Sequence, residues 1–275
     1  MIGAIIGDMV GMPYERSPVK TKDIELFAHG ACFTDDTVMS VAVADSLLSG
    51  ESLVDKLKEW YRRHPHVGYG MTFAKWAAHP TDRDPYHSWG NGSAMRVSSV
   101  AWVATDLPTV LELAASTAAV THNHPEGIVG AQVVAGSIFL ARTGASKTDI
   151  RTFARRYYGA HMDRTVDQIR PGYQFDVSCV GSVPEAIIAF LEADGFHDTL
   201  RTAISLGGDS DTQACIAGAI AEGFYGSVPV DLRDQALQRL DEGLLTVLTR
   251  FWRTYPRSDP FRTNTNLSAQ TPDVN

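Results

Sequence analysis

The chain is short of cysteine, of positive charge, of long apolar runs and of strand-like alternation, and each shortage excludes something. Its three cysteines, Cys32, Cys179 and Cys215, lie far apart and form no Cys-x-x-Cys pair. An odd, scattered set is no disulfide framework and fits a reducing, cytoplasmic setting. No apolar run approaches the roughly 20 residues that a membrane-spanning helix needs. The opening stretch, Met1 to Val10, is apolar but has no basic leader and is interrupted by Asp8, so it does not read as a secretion signal. Only 24 lysines and arginines face 32 acids, and the formal net charge of −8 argues against a nucleic-acid backbone as partner.

What is present points to helices. The 275 residues are 44% hydrophobic and 20% charged, enough for a substantial buried core. Gly3, Gly7 and Gly11 recur every four residues, so they line one helix face that another backbone can approach closely. Pro13 is expected to end that helix, with Tyr14 and Glu15 opening a loop in which Glu15 could serve a site. Thr34 resembles an N-cap for a helix through Leu48, and Leu53, Leu57, Trp60 and Tyr61 mark a second, amphipathic helix. From His64 to Asn91 the chain reads as a functional loop region with a short helix near Phe73–Ala78. Further helices are expected over 109–120, 128–140, 148–158, 183–193, 200–206, 213–224 and 232–255, with Pro125 in a first helical turn. The fold class is therefore all-α, one domain over 1–256 around a single core, followed by a polar, mobile tail over 257–275. No internal repeat is evident.

Two acidic clusters carry the chemistry. Phe33-Thr34-Asp35-Asp36-Thr37 and Gly207-Gly208-Asp209-Ser210-Asp211-Thr212 each place acids and hydroxyls ahead of an apolar, helix-forming run. Either cluster alone is adequately explained as an acidic helix cap. Together they hold more acids than capping needs, and each is drawn toward the core by the run behind it. Carboxylates gathered there repel, and a divalent cation is the simplest remedy. Donors that are all oxygen suit Mg²⁺ or Mn²⁺, whereas the absence of His and Cys disfavours zinc. His122-x-His124 lacks the partners of a zinc site, so a histidine bonded to backbone or ligand is expected there. Gly90-Asn91-Gly92-Ser93 offers backbone N–H groups to an anion, or is a plain glycine-rich turn. Tyr173 and Phe175 could stack on a base, though core packing is the commoner role for such a pair; Cys179 and Cys215 read as small buried hydrophobes.

In this order, Gly7-Asp8 through Glu15, Phe33-Thr34-Asp35-Asp36-Thr37, Gly90-Asn91-Gly92-Ser93-Ala94-Met95-Arg96, Thr121-His122 and Gly207 to Thr212 resemble the ADP-ribosylglycohydrolases. The resemblance runs from near residue 3 to about residue 226. It implies a compact, orthogonal helical bundle with two divalent cations, Mg²⁺ or Mn²⁺. Thr34, Asp35 and Asp36 would be ligands from the first cluster, and Asp209, Asp211 and Thr212 from the second. Glu15 falls where some members carry an acid that gates or assists catalysis. Asn91, Gly92, Ser93 and Met95 fall on the loop that holds diphosphate and distal ribose, and His122 near the same ligand. The implied activity is hydrolysis of the bond between ADP-ribose and a modified side chain, arginine first, with serine or nucleobase linkages as alternatives. Asp35, Asp36 and Glu15 are the candidate acids and bases. The implied partner is an ADP-ribosylated protein or a free conjugate, met by a cytoplasmic monomer; a non-catalytic ADP-ribose binder and a two-metal phosphoesterase are the competing readings.

Overall fold

A computed structural model describes residues 1–261. Among the described residues there is no sheet, only one isolated bridge between Gly90 and Ser178. The helices in order are α1 Ile2–Glu15, α2 Asp35–Ser49, α3 Leu53–Arg63, α4 Met71–Ala78, α5 Gly92–Met95, α6 Val100–Val103, α7 Leu107–Ala119, α8 Pro125–Arg142, α9 Lys147–Tyr158, α10 Val166–Ile169, α11 Cys179–Glu192, α12 Phe196–Ile204, α13 Ser210–Tyr225, α14 Val230–Gln238 and α15 Glu242–Thr254. None of them is long and apolar enough to cross a membrane. Of the tail expected over 257–275, residues 262–275 lie outside the described residues.

The glycine stripe of α1 chooses its neighbour. A Cβ placed on Gly3, Gly7 or Gly11 would lie 2.3, 2.0 or 2.4 Å from the carbonyl oxygen of Gly218, Ala214 or Ser210. All three carbonyls belong to α13, so two helix backbones touch along the stripe with no side chain between them. Glu222 secures the far end by accepting from the Gly3 N–H at 2.9 Å. Helix α13 is buried from Ser210 through Gly223 and has α1, α8, α11 and α12 around it, as an all-round apolar helix requires. Helices α3 and α15 pack on α2.

Several helix boundaries shift by a few residues from the sequence reading, α6 and α10 were not expected, and two differences have a clear local cause. Pro13 lies inside α1, which runs on to Glu15. The ring removes the bond that an N–H at position 13 would make to the Met9 carbonyl, and the helix runs only two residues further. Consequently Tyr14 and Glu15 sit on the last helical turn, not in a loop. The helix expected over 232–255 is broken into α14 and α15 by Asp241, whose carboxylate accepts the Leu244 N–H at 2.9 Å and starts a new helix. The other caps match expectation: Thr34 caps α2, and Pro125 occupies the first turn of α8.

Candidate metal centre and its cavity

Asp8 organises the first cluster. It is wholly buried on α1, one residue from the glycine that meets α13. One oxygen, Oδ2, accepts the N–H groups of Thr34 (2.9 Å) and Thr37 (3.1 Å) and the Thr37 hydroxyl (2.5 Å). The other accepts the Thr34 hydroxyl at 2.7 Å. Helix α1 therefore caps α2 from outside and fixes Thr34, Asp35 and Asp36 at the first turn. Thr34 Oγ1 also accepts the Asp36 N–H at 3.2 Å, which leaves one lone pair for a ligand. Asp35 is held by its own N–H, donated to the Val67 carbonyl at 2.9 Å.

The second cluster arrives on α13. Asp209 occupies the N-cap position but makes no side-chain capping bond. Its Oδ2 instead accepts the Asn91 amide at 2.7 Å. Asp211 accepts the Thr212 N–H at 2.8 Å, and the Thr212 hydroxyl lies 3.4 Å from Asp36 Oδ2. The two acidic stretches thus touch across 176 residues of sequence. Glu15, Asp209 and Asp211 each offer an oxygen, all within 4.8 Å of one another.

Electrostatically the site is frustrated as it stands. Burial first, then the Asp8 charge, pushes the Asp35 carboxyl up to about 8. Burial also raises Asp8 to about 6, against the pull of its hydrogen bonds. Asp36 and Asp211 are pushed well above the usual carboxylate range, chiefly by burial and then by neighbouring aspartates. Glu15 is raised by burial and by Asp209. Among the described residues, no lysine or arginine forms an ion pair with any of these acids. Asp36 Oδ1 is buried with no hydrogen-bond partner at all. An orphaned oxygen within an all-oxygen, mutually repelling donor set fits a divalent cation.

The cluster forms part of the lining of a cavity of about 510 Å³, a size typical of small-molecule sites. Every residue expected at the site lines it except Ser93. Ser93 turns away and donates to the Gly127 carbonyl at 2.7 Å. The Asn91 side chain is committed to Asp209 and, at 3.1 Å, to Ser182, so it braces an acid rather than reaching freely for ligand. Gly92 lets the ring come close, since a Cβ there would lie 3.1 Å from His122 Nε2 and the ring would have to give way. Met95 Sδ is 3.9 Å from the Thr212 hydroxyl. Four exposed apolar side chains, Met71, Trp89, Phe175 and Val177, also line the cavity. Tyr173 and Phe175 have parted: the tyrosine hydroxyl donates to the Gly181 carbonyl at 2.7 Å, whereas the phenylalanine faces the cavity.

Sequence reasoning gave Asp8 no role of its own. The available signal was a lone carboxylate inside an apolar, glycine-striped helix, where an unpaired charge has to find donors. Trp89 and Val177 were missed as well. They meet because the Asn91 N–H bonds the Val177 carbonyl (2.8 Å) and the Cys179 N–H bonds the Trp89 carbonyl (3.1 Å), a long-range pairing without local signature. Cys179 and Cys215 are buried, as expected of small hydrophobes.

Comparison with known proteins agrees with this fold. The sequence profile of the ADP-ribosylglycohydrolases matches residues 1–259. The chain is 29% identical to ADP-ribosylhydrolase ARH3 of Gallus gallus, over 84% of this chain and 85% of that protein. It is 27% identical to ADP-ribosylarginine hydrolase Tri1 of Pseudomonas putida, over 82% of this chain and 69% of that one. A solved ADP-ribosylglycohydrolase-related protein complex superposes with a TM-score of 0.69 at 25% identity, covering 92% of this chain and 97% of the other.

Proposed function

Because the chain belongs to the ADP-ribosylglycohydrolase family, and is accordingly an enzyme of that kind, we propose that it cleaves the glycosidic bond between ADP-ribose and a modified side chain, arginine first. The meeting of Asp36 with Thr212 at the wall of a cavity of about 510 Å³ carries the reading. Thr34, Asp35, Asp36, Asp209, Asp211 and Thr212 would hold two divalent cations, Mg²⁺ or Mn²⁺. Such ions, when bound, supply Lewis-acid polarisation and orientation of the ribose hydroxyls.

The chain's own groups do the rest. Cleavage builds positive, oxocarbenium-like charge on the ribose, and closely set carboxylates favour it. Glu15, half-buried at the end of α1 with its carboxyl raised, can carry a proton to the leaving group or take one from the attacking water. Asp35 and Asp36, both raised by burial, are the other candidates for that exchange. Asp8 and Asn91 act behind them, holding Thr34 and Asp209 in place. Arginine is placed first because one relative is named an ADP-ribosylarginine hydrolase.

Incubating the protein with ADP-ribosylarginine and Mn²⁺ or Mg²⁺ should release ADP-ribose, and chelator should abolish the release. Faster turnover of ADP-ribosylserine would reassign the linkage. No release from arginine, serine or nucleobase conjugates would defeat the proposal.

A further inference from the structure

His122 is buried in the cavity wall, and what lies behind its ring determines what it can offer in front. Its Nδ1 is 2.7 Å from Thr121 Oγ1. Its Nε2 faces the Gly92 backbone, close enough that a Cβ there would stand 3.1 Å away. Thr121 Oγ1 accepts from Arg96 Nη2 at 2.8 Å, and the same nitrogen donates to the Thr117 carbonyl at 3.1 Å.

A guanidinium carries donors only, so one Thr121 lone pair is taken by Arg96. The threonine proton can then go to Nδ1 or to the neighbouring Tyr86 hydroxyl, which also bonds Thr121. The buried Arg96 charge behind Thr121 decides for Nδ1, because a positive charge favours a lone pair, not an N–H, on the ring edge that faces it. Burial, and after it Arg96, also holds His122 well below the usual histidine range, so the ring is neutral. A neutral imidazole that accepts at Nδ1 keeps its proton on Nε2.

We propose that Arg96 and Thr121 are positioning residues that lock His122 as the neutral Nε2–H tautomer, presenting a hydrogen-bond donor beside Gly92 to an anionic phosphate oxygen of the ligand. That the phosphate belongs to ADP-ribose rests on the proposed function; the tautomer does not. The opposite tautomer would turn a bare nitrogen lone pair toward the phosphate and repel it.

The wild-type chain decides the point directly. With ¹⁵N-labelled histidine, and the His122 signal identified by its loss in His122→Gln, the spectrum should show a protonated Nε2 and an unprotonated Nδ1. A protonated Nδ1 overturns the proposal without recourse to any further variant. Thr121→Val keeps the shape and removes the relay. It should weaken ADP-ribose binding about tenfold by calorimetry, near the worth of one well-placed hydrogen bond, and the loss should show in KM more than in kcat. Thr121→Ser should restore it. Valine and serine variants that both bind as wild type, or that are equally weak, would also overturn the assignment. A wild-type chain that binds no ADP-ribose would defeat the proposed function, while the spectrum alone still settled the tautomer.

Discussion

Asp8 offers the sharpest test of how α1 builds the site. Replacing it with alanine strands four donors, namely the N–H groups of Thr34 and Thr37 and the two threonine hydroxyls. The hydroxyls can rotate toward other acceptors; the backbone groups cannot. A buried donor left unpaired costs about 1–3 kcal/mol, so the backbone pair alone should cost about 2–6 kcal/mol. Losing the Asp8 charge relieves Asp35 and Asp36, which trims that figure without reversing it. Against a total stability of about 5–15 kcal/mol this is a large fraction.

Asp8→Asn separates stability from metal binding. An amide oxygen in place of Oδ2 keeps three of the bonds, those from the Thr34 N–H and from the N–H and hydroxyl of Thr37. The amide NH₂ then faces Thr34 Oγ1, which already accepts the Asp36 N–H. Both lone pairs fill, and Thr34 is lost as a ligand. The variant should stay within about 1–2 kcal/mol of wild type in chelator while Mn²⁺ affinity drops about tenfold or more, the usual cost of removing a group that orients a ligand. Urea titrations followed by circular dichroism, with Mn²⁺ binding measured by calorimetry, read both quantities. Asp8→Ala unfolding within about 0.5 kcal/mol of wild type, or Asp8→Asn binding Mn²⁺ normally, would refute this account of α1.

Gly7→Ala drives a methyl group to 2.0 Å from the Ala214 carbonyl oxygen, and neither backbone can yield unless α1 and α13 part, so a loss at or above the usual overpacking range of about 1–3 kcal/mol should show in urea unfolding. Gly172→Ala, with nothing within 4 Å, is the control and should stay within about 0.5 kcal/mol. Asp35 binds its proton more tightly in the folded chain, up to about 8, than when unfolded, so the folded state holds more protons across that window and loses stability as pH rises through it. The Tm of chelated protein should therefore fall between pH 6 and 8, and Mn²⁺ binding at pH 7 should release protons in calorimetry run in two buffers; a flat Tm and no release would count against the raised carboxyl. Asn91→Ala frees Asp209 Oδ2 from its 2.7 Å bond and should weaken Mn²⁺ binding about tenfold, whereas an effect confined to substrate KM would assign Asn91 to the ligand instead.

Local chemistry makes most of the helices legible in the sequence itself. Threonine before two acids, proline in a first turn, apolar residues at three- and four-residue spacing and glycine at every fourth position are all satisfied by bonds and contacts within a turn or two. The two acidic clusters are legible for the same reason, as is the close backbone approach along α1. Pro13 and Asp241 mislead because each is compatible with two local outcomes, and the surrounding packing chooses. Only the tertiary structure decides that Asp36 meets Thr212, that Asp8 gathers the donors of α2, that Asn91 braces Asp209 and that Ser93 turns inward. Those pairings span 26 to 176 residues, and a side chain's partner at such range depends on which helices lie side by side. Here that is settled largely by three glycines letting α1 rest on α13, a contact whose existence the sequence announces and whose partner it does not name.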